Sequence, residues 1–210
     1  MEQTIPIDNQ PIAAGFFDEG SWLSDYVTPS QPDILMLWNK LTQDIPAVED
    51  KIVACWDWVA KQVKYKAFIK ARITVEGKQS ITDDFWQTPS MVTKTHVGNC
   101  ANKAFLLTSL LRNGLSSEQV YCVLGNLLNG HEQGHAWVQV NLGKGEFVVE
   151  STRDDVPMLA VGQALRYQPV HYFNDQQILA VPGRTVIEPY SACYSSWLRD
   201  YLNWGYINER

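Results

Sequence analysis

Three residues of this 210-residue sequence are of types that could together attack an acyl group. They are Cys100, which opens "CANKAFLLTSLLRNG", His135 in "GHAWVQV", and Glu150, which ends "FVVE". A thiol is a weak nucleophile until it ionises, and the unsatisfied backbone N–H groups in the first turn of a helix favour thiolate over thiol. Cys100 follows "HVGN" and begins the clearest helical run in the chain, so it has that placement, and the same N–H groups could receive a developing oxyanion. The thiolate needs a histidine to take its proton and return it to a leaving amine, and the histidine needs a third group to orient its ring. His135 begins a strand-like segment and Glu150 closes the next one. Singly, each has a bland reading: a buried helix cysteine, a packed histidine, a solvated strand end. Jointly, on a helix start, a strand and its neighbour, they match the nucleophile, base and orienting group of cysteine acyl-transfer enzymes.

The same region offers a rival chemistry. Residues 131–135, "HEQGH", match the H-E-x-x-H pattern in which two histidines one helical turn apart bind zinc. That geometry requires a helix. Here Gly130 and Gly134 interrupt the run, "NLLNG" before it reads as a turn, and Ala136, Val138 and Val140 alternate with Trp137, Gln139 and Asn141. The alternation predicts a strand and no metal site. His131 in the glycine-rich loop remains the rival base, with His96 behind it. Asp154 and Asp155 are rival carboxylates if the strand register slips.

The chain is long enough to build one core around these groups without disulfide staples. Hydrophobic residues make up 45% and charged residues 19%, which describes a packed globular protein. A net charge of -6 gives no basic field, so nucleic acid and membrane surfaces are not expected partners. The N-terminus shows no signal-peptide pattern and no segment reaches the length of a membrane span, which predicts a cytoplasmic protein. Cys55, Cys100, Cys122 and Cys193 are far apart, with no C-x-x-C pair, and three of them are expected to be small buried hydrophobes.

Along the chain, residues 1–32 read as an extended arm pinned by Phe16, Phe17 and Trp22, and residues 33–210 as a single domain. "DILMLWNKLTQ" and "AVEDKIVACWDWVAKQVKY" show helical periodicity, with Pro46 between them as a helix starter and with Ile52, Cys55, Trp56, Val59 and Val63 on one face of the second. Residues 66–90 read as loop with a short strand at Ile73 to Val75, and "PSMVTKT" as one or two helical turns. The helix from Cys100 turns Cys100, Ala104, Leu107 and Leu111 inward and is closed by Gly114. "QVYCVLG", "HAWVQVNL" and "GEFVVEST" read as strands, the last two joined by "GKG" as a hairpin. "PVHYFN" and "ILAVPG" extend the sheet, and "SACYSSWLRDYLNWGY" closes the chain as a helix.

Together, "DFWQTPSMVTKTHVGNCANKAFLLTSLLRNG", "GHAWVQV" and "FVVESTRD" resemble the core of the transglutaminase-like superfamily, in particular its bacterial transglutaminase-like cysteine proteinases. The resemblance covers about residues 50–155. It implies an α+β, papain-like fold in which the helix bearing the cysteine packs on an antiparallel sheet bearing the histidine and the acidic residue. It further implies Cys100, His135 and Glu150 as the triad, with Trp86 or Gln87 on the oxyanion side and Asn99 in the groove beside the cysteine. Two departures stand out. Asn99 and Asn102 occupy positions that many members make acidic, which weakens any carry-over of calcium binding. Glu150 stands where aspartate is common, and a longer carboxylate can still accept from imidazole.

The expected activity is attack of Cys100 on an amide of a protein or peptide substrate, with no cofactor, and transfer of the acyl group to water as a peptidase or amidase. Transfer to an amine, as in cross-linking transglutaminases, uses the same triad, because the acceptor is chosen by water exclusion rather than by the triad. A non-catalytic module that keeps the fold is the alternative from another class.

Overall fold

The computed structural model describes residues 5–7, 23–67, 69, 71–75, 78–82, 85–128 and 132–184. Its helices are α1 (Pro32–Thr42), α2 (Val48–Gln62), α3 (Pro89–Thr95) and α4 (Cys100–Leu111). Its strands in chain order are β1 (Ile5–Ile7), β2 (Lys64–Tyr65), β3 (Ala71–Val75), β4 (Lys78–Thr82), β5 (Val97–Gly98), β6 (Val120–Leu128), β7 (Glu132–Leu142), β8 (Gly145–Val149), β9 (Leu159–Ala160), β10 (Tyr167–Phe173) and β11 (Ile178–Ala180). The main sheet has the order β11-β10-β6-β7-β8-β9, and all its described pairings are antiparallel. This is the expected α+β arrangement, with the cysteine helix packed on an antiparallel sheet.

The centre of the molecule is α4. The sequence predicts one inward face, but all twelve residues of α4 are buried. The reason is position, because β6 and β7 cover one side while α1, α2 and α3 cover the others, and a helix enclosed in this way has no solvent face to leave polar. Lys103 shows the consequence. Its ammonium donates to the Ala60 and Val63 carbonyls at the end of α2, at 3.1 and 2.7 Å, where helix C-terminal carbonyls lack intrahelical partners. The periodicity read in α2 is matched by burial at every position of its stripe, Ile52, Cys55, Trp56, Val59 and Val63.

Several elements differ from their sequence reading. Val48, two residues beyond Pro46, opens α2, whereas Pro32 itself opens α1. The stretch expected to be mostly loop carries the β3–β4 hairpin, and β1 pairs with β3 in parallel. "NLLNG" is not a turn as a whole, because Asn126, Leu127 and Leu128 continue β6 opposite Gly134, Gln133 and Glu132. Cross-strand pairing there outweighs the local turn preference of Asn and Gly. In β10 the register shifts between Pro169 and His171, as a proline without an N–H requires inside a ladder. Of the arm, Leu23–Tyr26 form a 3-10 turn that buries Leu23 and Tyr26. Phe16, Phe17, Trp22 and the expected helix over 191–206 lie outside the described residues.

Candidate active site

The approach to Cys100 is braced from both sides. His96 caps α3 in the left-handed region at φ 52°, which reverses the chain, and its Nδ1–H donates to Gln62 O at 3.1 Å. β5 then pairs with β2 in parallel. Asn99 and Asn102 form a reciprocal capping box: the Asn102 N–H donates to Asn99 Oδ1 at 3.0 Å and the Asn99 N–H to Asn102 Oδ1 at 3.3 Å. Two orphan donors of the helix start are thereby satisfied without acidic residues. Gln87 supports the same turn, donating to Val97 O at 2.8 Å and accepting from Thr95 Oγ1 at 2.9 Å. Trp86 packs edge-on against Tyr26 and Phe105, with ring centroids 5.4 and 5.0 Å apart. Trp86, Gln87 and Asn99 are all buried, and Trp86 belongs to the hydrophobic core.

Cys100 is the first residue of α4 and is fully buried. Its sulfur is held in a disulfide, whereas Cys55 and Cys122 are free buried thiols. Burial pushes the Cys55 thiol up to about 12 and the Cys122 thiol higher still, so both are inert as nucleophiles at neutral pH. Cys193 lies outside the described residues.

His135 and Glu150 meet. His135 Nε2 lies 2.7 Å from Glu150 Oε2, with both side chains buried. An ionised carboxylate can only accept, so Nε2 carries the hydrogen, and in the neutral ring Nδ1 is the nitrogen without one. Alternation along β7 sends Ala136, Val138 and Val140 into the core shared with α4, while Trp137 belongs to a smaller cluster on the other face. His135 shares the Trp137 face, and the two rings stack at 6.2 Å with planes 24° apart.

Glu150 is held by more than its histidine. Its Oε1 accepts from the Thr152 N–H at 2.9 Å and from Thr152 Oγ1 at 2.7 Å. Its backbone carbonyl accepts from Trp56 Nε1 at 2.8 Å, which ties this strand end to α2. Burial pushes the Glu150 carboxyl up, but the charge and hydrogen bond of His135 and the Thr152 donors outweigh it and hold the carboxyl below the usual glutamate range. Lys103, one turn past Cys100, feels the same site. Burial pulls its ammonium down to about 8, against the opposing pull of the Glu150 and Asp154 carboxylates. The rival Asp155 is occupied on the surface by Arg153, at 2.9 and 2.6 Å.

The zinc reading of "HEQGH" lacks its helix, because Glu132 to His135 lie in β7. His131 is outside the described residues, and among those residues no group of three or more His, Cys, Asp or Glu is placed to hold a metal ion. Trp56, Trp137, Thr152 and Tyr167 were not legible as site residues. "EST" was a signal for Thr152, whereas Tyr167 reaches the site only through the pairing of β10 with β6.

One glycine beneath the site is required by close approach. Gly125 pairs with His135 across β6 and β7, and a Cβ there would sit 2.2 Å from Gln168 O and 2.6 Å from the Trp137 ring. Gly125→Ala must therefore displace β10 or Trp137. The expected loss is about 1–3 kcal/mol, read as a fall in Tm of about 2–4 °C per kcal/mol in thermal unfolding. An unchanged Tm would show that the contact is not tight.

The fold, with a helix packed on an antiparallel sheet, belongs to a known class. The sequence profile described as the transglutaminase-like superfamily matches residues 36–150, more than half of the chain, and the chain belongs to that superfamily. Among solved structures, Legionella pneumophila LapG is similar at 17% identity, with a TM-score of 0.54, covering 72% of this chain and 80% of LapG. Calcium-bound LapG from the same organism is similar at 15% identity and a TM-score of 0.53, covering 80% of this chain and 90% of that one. At these identities the likeness is one of fold. Comparison with curated proteins gives no match. No helix among the described residues is long and apolar enough to cross a membrane.

Proposed function

We propose that this chain is a thiol-dependent acyl-transfer enzyme acting on amide bonds of a peptide or protein, with Cys100 as nucleophile, His135 as base and Glu150 as orienting carboxylate. The observation that carries the reading is the buried 2.7 Å bond from His135 Nε2 to Glu150 Oε2, which assigns the tautomer needed to leave Nδ1 as the base. Membership of the superfamily, together with Cys100 at a capped helix start, supports the nucleophile.

In this mechanism the reacting form is the one in which Cys100 is a free thiol. The thiol proton passes to His135 Nδ1 and the sulfur attacks the carbonyl carbon. The N–H groups of the first turn of α4 receive the oxyanion, on the side of Trp86, Gln87 and Asn99. The C–N bond breaks as the imidazolium protonates the leaving amine, which leaves a thioester on Cys100. His135 then deprotonates water, hydroxide attacks the thioester, and the acid leaves as the Cys100 sulfur regains its proton.

The test is to incubate the dithiothreitol-reduced protein with a peptide library, stop with acid and find the acylated residue by mass spectrometry. The expected adduct is a thioester on Cys100 that decays to free acid, or to an amide when a primary amine is supplied. Amide cleavage that proceeds with Cys100 alkylated would overturn the proposal.

A further inference from the structure

We propose that Tyr167 is a positioning residue of this site, setting the basicity of the His135–Glu150 pair through its hydrogen bond to Glu150 Oε2. The inference rests on the catalytic reading above for its effect on turnover, but not for its effect on His135.

The Tyr167 hydroxyl donates to Glu150 Oε2 at 3.1 Å, the same oxygen that accepts from His135 Nε2. With Thr152 donating twice to Oε1, four donors converge on one buried carboxylate and use both its oxygens. A phenol O–H on Oε2 withdraws negative charge from the atom that faces the imidazole. It lowers the tendency of Glu150 to take the imidazole proton and moderates the stabilisation of imidazolium. The balance matters because a base that is too strongly held as imidazolium cannot accept the proton of the attacking water.

The ring of Tyr167 has a separate effect. It meets Trp137 edge to face at 5.1 Å and lies 6.3 Å from His135, while Trp137 stacks against His135. The two aromatics therefore flank the imidazole and keep water from the pair, so that the hydroxyl acts in a medium of low polarity. Tyr167 lies on β10, beyond the residues matched by the superfamily profile. It is paired with Leu127 of β6, which in turn is paired with Gln133 of β7.

Other charges also face the pair. Lys103 of α4 and Arg153 interact with Glu150, and Arg153 and Asp155 interact with Tyr167. Trp56 of α2 donates only to the Glu150 backbone carbonyl. Tyr167→Phe leaves all of these in place and removes one O–H.

The experiment is an NMR titration of the His135 imidazole in reduced wild-type protein and in Tyr167→Phe, with the signal assigned by its loss in His135→Gln. The expected result is an upward shift of the His135 midpoint by about 0.5–1 unit, as loss of one hydrogen bond to a charged group implies. On an amide substrate, kcat/KM is expected to fall about tenfold at neutral pH with the acidic limb of its pH profile moved up. An unmoved midpoint overturns the inference, even if Tm falls, because a purely structural tyrosine would cost stability alone. A shifted midpoint in a protein that shows no turnover supports the role of Tyr167 and overturns the catalytic reading instead.

Discussion

Replacing Cys100 with alanine is expected to remove amide turnover, a loss on the order of a millionfold, while the fold persists. The two effects separate because the helix start does not depend on the sulfur. Its cap is the Asn99–Asn102 box, and alanine is the better helix former. Removing one buried sulfur leaves a small void worth about 1 kcal/mol, partly offset by helix propensity. Stability should be compared in reductant, so that neither protein carries a cross-link at this position. Steady-state hydrolysis and thermal melts under reduction check both halves. Turnover retained by Cys100→Ala would remove Cys100 from the mechanism, and a collapse of Tm in reductant would make it a packing residue.

Glu150→Gln is expected to lower kcat by about four orders of magnitude. A glutamine offers one acceptor oxygen where the structure directs four donors at two. Whichever way the amide turns, its NH2 confronts either Thr152 or the pair formed by His135 and Tyr167. With its oxygen toward Thr152, the NH2 is accommodated when His135 switches to the Nδ1–H tautomer and accepts at Nε2, which removes the unprotonated Nδ1 that the base requires. The variant also loses the charge that stabilises imidazolium, so alkylation of the reduced Cys100 thiol should require higher pH.

The pH dependence of stability carries its own sign. The folded Glu150 carboxyl lies below its unfolded value, so its contribution is fully present above the unfolded pKa. It is lost as pH falls through the folded one. Urea melts across the acid range should show a shallower loss in Glu150→Gln than in wild type. Equal slopes would mean that the carboxylate is not held by its neighbours.

Much of this protein is local information. The α2 stripe from Ile52 to Val63 follows from periodicity alone, and the helix beginning at Cys100 and the β7–β8 hairpin are likewise local, because the pattern that forms each element is written in consecutive residues. Alternation around His135 was enough to reject a helical zinc motif. The residue types that could form the site, Cys100, His135 and Glu150, were also legible, because few arrangements combine a thiol at a helix start with a histidine and a carboxylate on successive strands.

What the sequence could not decide depends on contacts between distant segments. The full burial of α4 is one example: its own pattern suggests a single inward face, and only the sheet on one side with three helices around the rest leaves no residue exposed. The ammonium of Lys103 is buried because the carbonyls ending α2 happen to face it. "NLLNG" has local turn chemistry, yet Asn126 to Leu128 continue as strand because β7 and β10 lie on either side. Glu150 is separated from Asp155 as a partner for His135 by strand register, which no composition rule fixes. Tyr167 reaches Glu150 only once β10 has crossed the chain to pair with β6, placing a phenol from far along the sequence on the same carboxylate oxygen as the histidine. The chain thus specified its elements through short-range periodicity, while the hydrogen-bond environment of the site was settled by long-range strand pairing.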